Sequence, residues 1–232
     1  MAAALWIPLS LRADPAPSPS PAQTAISNLG TNAPASAHLS PAAEAAAEAG
    51  IAAMSRNNFA VAEASFQKLL KLSPNNISAL VNLGLVEFRM GRSEEAQQYL
   101  ESAIRLKPDA GLAWMILGVI HTNQNDLEAA TAALAQAVYL EPRNPQAHNY
   151  FAVTLSKRGW YSGAEDELQK AIQLSPSFAE AHFNLALTYL LRNPPAVELA
   201  RRHYQKALDL GAPPDPAVAA KLNAAPEQIT VP

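Results

Sequence analysis

The chain has no cysteine. This excludes disulfides, thiolate metal sites, cysteine nucleophiles and lipidation through a cysteine. Charge is sparse and almost balanced: 17 Lys and Arg against 20 Asp and Glu leave a net charge of −3. No basic face recommends a nucleic acid, and the strongest cationic pair, Arg201-Arg202, reads as solvated. There is no HExxH pair, no phosphate-binding glycine loop and no serine nucleophile elbow. The apolar run Met1–Ala13 is too short to cross a bilayer as a helix. These absences leave little room for an enzyme.

What the chain has is a step of 34 residues. Pro74, Pro108, Pro142 and Pro176 keep it, and so do Ala62, Ala96, Ala130 and Ala164. Leu72, Leu106, Leu140 and Leu174 stand two residues before each proline. Leu83, Leu117, Phe151 and Leu185 are followed by Gly84, Gly118, Ala152 and Ala186. A fixed period of this length marks a stacked-repeat architecture.

Each unit reads as two helices. In the unit from Ile77 to Asp109, Leu80, Leu83, Gly84 and Phe88 share one helical spacing, and Ala96, Leu100, Ala103 and Ile104 share another. Asn57, Gly91, Asn125, Gly159 and Asn193 stand between the halves. Asn and Gly adopt the left-handed conformation that closes a helix, so all five are expected to do so. Asn75, Asp109, Asn144 and Ser177 are expected to cap first helices, with Ser177 and Glu180 as a capping box. The small columns mark close helix approach, and Phe66, Leu100, Leu134, Leu168 and Tyr204 fill the space between helices.

These residues resemble the tetratricopeptide repeat. Its pattern W-x2-L-G-x2-Y, A-x3-F, A, P is visible in Trp114, Leu117-Gly118, Ala130, Leu134, Ala137 and Pro142. The resemblance covers about residues 41–212 as five units. The fifth departs by two extra residues around Pro194-Pro195, and the first carries Leu69 where later units have Ala103, Ala137 and Ala171. The resemblance implies an all-α fold: a right-handed superhelical solenoid of stacked antiparallel helix pairs, five 34-residue units plus a short C-terminal capping helix. The expected organisation is an apolar N-terminal segment at 1–13, a Pro/Ala/Ser-rich linker at 14–40, repeats at 41–212, a capping helix at 213–223 and a tail at 224–232. Val218 and Leu222 are expected to cover the last repeat's apolar edge. Residues 1–13 resemble the core of a secretory signal cleaved after Ala13, although they lack a basic start. Periplasmic or envelope-associated export therefore stands beside a retained segment that packs on the repeats.

Family likeness also places first helices on the concave face of the superhelix. The column Ile51, Leu85, Val119, Val153 and Leu187 is apolar throughout. The expected partner-binding residues are Val81, Leu85, Phe88, Arg89, Leu112, Met115, Val119, Asn149, Val153, Lys157, Phe183 and Leu187. An apolar groove wants an occupant. The resulting expectation is a non-enzymatic scaffold that binds a partner helix or apolar peptide segment. The alternatives are a self-assembling or structural repeat protein whose groove is filled by its own N-terminal segment, and a superhelix tight enough that these residues simply pack on one another. Partners are protein or peptide, with no nucleic acid, small-molecule substrate, cofactor or metal; homo-oligomerisation stays open. His148 and His182 share a column 34 residues apart, which raises a shared metal, but no carboxylate or third ligand joins them there and packing is the preferred reading. A carboxylate clamp and an asparagine ladder (Asn82 and Asn184, two of five positions) are both rejected.

Overall fold

The computed structural model describes residues 39–224. Residues 1–38 and 225–232, and with them the apolar run, most of the linker and the tail, lie outside the described residues. Eleven α-helices and no strand occur among the described residues. They fall into two compact units, 39–124 and 125–224. The first holds α1 (Pro41–Ser55), α2 (Phe59–Leu72), α3 (Ile77–Arg89), α4 (Ser93–Leu106) and α5 (Gly111–Asn123). The second holds α6 (Leu127–Leu140), α7 (Pro145–Lys157), α8 (Tyr161–Leu174), α9 (Ala179–Leu191), α10 (Val197–Asp209) and α11 (Pro216–Ala224). In each unit sequential helices pair across short turns. First helices of successive repeats also touch directly, α3 with α5 and α7 with α9. The fold is an all-α helical repeat solenoid.

Turn chemistry sets the helix ends. Asn57, Gly91, Asn125 and Gly159 adopt positive φ, between 54° and 79°, as the sequence predicts. Asn193 does not. It precedes Pro194, and a residue before proline is pushed toward extended conformations. The two inserted residues rebuild that turn, and α9 ends on Arg192 in an extended conformation. The starts are corrected as well. The capping column is 76, 110, 144 and 178, one residue later than Asn75, Asp109 and Ser177. Asn76 and Asn144 accept from the helix amides, at 2.9 Å from Ala79 N and 3.0 Å from Gln146 N. Ala110 and Phe178 have no side-chain acceptor to offer, so α5 and α9 start uncapped and no Ser177–Glu180 box forms. Second helices end at Leu72, Leu106, Leu140 and Leu174, each two residues ahead of its proline.

The core is built on the small and large columns together. Ala62, Ala96, Ala130, Ala164 and Ala200 are buried, as are Phe66, Leu100, Leu134, Leu168 and Tyr204. A Cβ placed on Gly84 would come within 2.6 Å of Leu100 Cγ, and one on Gly50 within 2.5 Å of the Phe66 ring. Glycine there is a packing requirement. At the C-terminal end, Val218 and Leu222 of α11 are buried in the same core as Tyr204. Tyr204 Oη accepts from Asp215 N at 2.8 Å and lies 3.1 Å from Asp215 O, to which it donates. Asp215 Oδ1 in turn caps α11 through Ala217 N and Val218 N. Tyr204→Phe removes both bonds from the Asp215 backbone. It is expected to cost about 1–3 kcal/mol locally, read as faster amide exchange in α11 with α7 and α9 unchanged. Uniform exchange throughout would show that the hydroxyl does not secure this helix.

Candidate functional site

The site must be assembled one unit at a time. In residues 39–124, Val81, Leu85 and Phe88 lie on α3 and Leu112, Met115 and Val119 on α5, and all six are buried. Leu85 is 9% exposed and Val119 3%. Their counterpart on α1, Ile51, is 36% exposed. Arg89 is half-buried; its guanidinium lies 5.1 Å from the Phe59 ring centre and donates to Asn57 Oδ1 at 3.4 Å. In residues 125–224, Asn149 and Val153 of α7 and Phe183 and Leu187 of α9 are buried, whereas Lys157 is exposed. The 3.6-residue period brings the predicted apolar residues onto facing first helices, and it leaves them enclosed.

Polar groups on the same helices are partly unmatched. Asn184 Nδ2 donates to Asn149 Oδ1 at 2.9 Å. The other half of each amide, Asn149 Nδ2 and Asn184 Oδ1, is buried with no hydrogen-bond partner. Asn82 Oδ1 is in the same condition. A few residues along, Thr188 Oγ1 donates to Asn184 O at 2.8 Å, so the 3.0 Å contact between Ser156 and Thr188 uses the Ser156 proton. A buried amide group without a partner costs about 1–3 kcal/mol.

The histidine column turns out to be a carbonyl-capping device. Trp114 Nε1 donates to Pro108 O at 2.8 Å, and the Nε2 atoms of His148 and His182 meet Pro142 O and Pro176 O at 3.0 and 3.3 Å. The ring thus closes the turn that each recurrent proline opens. The two histidines do not share a partner. His148 Nδ1 pairs with Glu167 Oε2 at 2.5 Å, and Lys170 completes the group at 2.8 Å. The Glu167 bond raises the His148 pKa against the effect of burial. Burial opposes ionisation of Glu167, but bonds from His148 and Lys170 outweigh it and hold its pKa below the ordinary carboxylate value. His182 instead meets His203 at 3.0 Å. Burial, then the Lys206 charge, lowers the His182 pKa. Burial and His182 lower that of His203, against Glu165.

Sequence reasoning did not foresee His203, because the insertion in the fifth repeat moves it off the 34-residue step. It also passed over Trp160, which is 51% exposed beneath the Arg158 guanidinium at 3.9 Å. Trp160 sits where Asn58 and Asp126 cap their helices, and that substitution was the available signal. Beside it lies an open depression of about 350 Å³ lined by Tyr161, Gly163 and Arg192 among others.

Two family descriptions match the chain: "Tetratricopeptide repeat" over residues 47–96 and 81–148, and "TPR repeat" over residues 154–191. No curated protein matches it at a significant level. Among solved structures it is similar to PilF of Pseudomonas aeruginosa, with 16% identity, 78% of this chain and 81% of that one covered, and a TM-score of 0.70. It is also similar to YrrB, described as a TPR protein with an unusual peptide-binding site, at 23% identity, 81% and 93% coverage and a TM-score of 0.61. A third is MamA from Desulfovibrio magneticus RS-1, at 17% identity, 75% and 97% coverage and a TM-score of 0.63.

Proposed function

Because the chain belongs to the tetratricopeptide-repeat family, we propose that it is a non-enzymatic protein-interaction scaffold whose first-helix faces hold a partner helix or apolar peptide segment. The observation that carries this reading is the set of unpartnered amide atoms, Asn82 Oδ1, Asn149 Nδ2 and Asn184 Oδ1, buried among apolar side chains on those helices. A partner backbone offers the N–H and C=O groups they lack, and it reaches these enclosed atoms once the facing first helices part. YrrB, which has this fold, is described as having a peptide-binding site, and that supports the same use here.

Asn82→Leu tests the reading without threatening the fold. It removes an unmatched buried oxygen, so the free protein is expected to keep or gain up to about 1 kcal/mol of stability while partner capture falls. A variant that melts like wild type and captures equally well would take Asn82 out of the binding face.

The alternative is a structural repeat protein whose faces are filled by its own residues 1–13. The low exposure of Leu85, Val119, Val153 and Leu187 is met equally by first helices whose side chains pack on one another. The alternative predicts that removing residues 1–40 changes melting or sedimentation; identical behaviour with and without them would end it. Export rests on the sequence of residues 1–13 alone. Intact mass of the protein from its native host separates the two: a chain that begins after Ala13 supports export, and one that begins at Met1 removes it.

A further inference from the structure

We propose that His182 and His203 form a two-imidazole binding site for a divalent transition-metal ion such as Zn²⁺.

The two rings come from α9 and α10, and their Nδ1 atoms face each other at 3.0 Å. Metal–imidazole bonds of about 2.0–2.1 Å place two nitrogens about 2.9 Å apart at a right angle and about 3.4 Å apart at a tetrahedral angle. The observed separation falls between these values, so a metal can replace the shared proton with modest rotation of either ring. The His182 ring is already oriented. Its Nε2–H is committed to Pro176 O at 3.3 Å, which leaves the Nδ1 lone pair directed at His203. A backbone carbonyl on the far nitrogen is the arrangement that orients metal-ligating histidines in general. When the metal binds, the Nδ1 proton of His203 moves to Nε2 of the same ring, and no net proton is released.

The surroundings suit a neutral imidazole pair. Burial disfavours protonation of both rings, so both are available as ligands near neutral pH. Lys206 on α10 opposes a cation, and Glu165 on α8 favours one. The Tyr189 ring of α9 lies 5.8 Å from the His203 ring and closes one side. His203 is half-buried, so solvent reaches the site and water completes the coordination. Among the described residues no group of three His, Cys, Asp or Glu side chains is placed to hold a metal ion. The site is therefore a two-ligand chelate. It exists because the two extra residues of the fifth repeat bring His203 to the place that Glu167 holds opposite His148: the pairs are 21 and 19 residues apart.

Calorimetric titration of the full chain with Zn²⁺ near neutral pH tests the proposal. The expected result is saturable binding of one ion per chain. His182→Gln or His203→Gln weakens it by at least about tenfold, and His148→Gln leaves it unchanged. Melting curves recorded without zinc confirm that each variant is folded, and zinc raises the melting temperature of wild type and His148→Gln but not of His182→Gln or His203→Gln. No saturable binding below about 1 mM overturns the proposal. So does binding that both variants keep, which would belong to another group.

Discussion

Leu100→Ala is expected to lower the unfolding free energy by about 2–5 kcal/mol, because a fully buried leucine leaves a cavity among helices that cannot collapse onto it. Gly84→Ala is expected to cost about 1–3 kcal/mol for the opposite reason, overpacking. Its new Cβ would stand 2.6 Å from Leu100 Cγ and 3.2 Å from Ala96 O. The double variant joins a surplus methyl to the space that the leucine vacates. Its cost is expected to fall short of the sum of the two singles by about 0.5–3 kcal/mol. Chemical denaturation of the four proteins gives the coupling directly. Strict additivity would mean that Gly84 and Leu100 do not set each other's size, and the packing account of the repeat would lose its basis.

The second large effect is electrostatic. Glu167→Ala leaves the His148 Nδ1–H buried without its acceptor, and breaking a buried pair by removing one partner costs about 3–5 kcal/mol. The effect depends on pH with a defined sign. His148 has a raised pKa, so its contribution is complete below its unfolded value of about 6.5 and is lost as pH rises through the folded value. Glu167 has a lowered pKa, so its contribution is complete above its unfolded value of about 4.5 and is lost as pH falls through the folded value. The penalty for Glu167→Ala is therefore greatest between about 4.5 and about 6.5 and shrinks in alkali. His182 and His203 act in the other direction. Their lowered pKa values give stability that is present above about 6.5 and lost on acidification. Melting temperature against pH is expected to be flatter on the acid side in His203→Gln. A Glu167→Ala penalty that is independent of pH would contradict the coupling of Glu167 to the protonation of His148.

The architecture was legible because a repeat writes the same constraint several times. The proline column, the alanine columns and the Asn/Gly turns each carry one physical demand, and the 34-residue step makes their agreement visible. Errors came where one unit broke step and where the start of a helix was placed one residue early in several units. Asn193 looked like Asn57 and Asn125, but the following proline overrode its left-handed preference. Asn75, Asp109 and Ser177 looked like caps, but the capping position is one residue later, where Ala110 and Phe178 have no side-chain acceptor for the helix amides. The binding face was half legible. Periodicity placed Leu85, Val119, Val153 and Leu187 on first helices, but it could not tell how enclosed they are. Asn184 was weighed only as a rung in its own column. Its partner, Asn149, lies in the neighbouring column on the preceding first helix, and no single-column reading would find that pair. His203 was hidden by the insertion: it joins the Glu167 column only when the two extra residues are subtracted, as Tyr204 joins Leu168.

The central claim is that the first-helix faces, with their unmatched amides, hold a partner. The most direct test is affinity capture from the native host with the full chain, comparing wild type, Asn82→Leu and Val119→Glu, with helicity and melting measured on the same samples. The account predicts a partner held by wild type and lost from Asn82→Leu although that variant melts no lower than wild type. Equal capture by wild type and both variants, all folded, would contradict it and move recognition away from these faces.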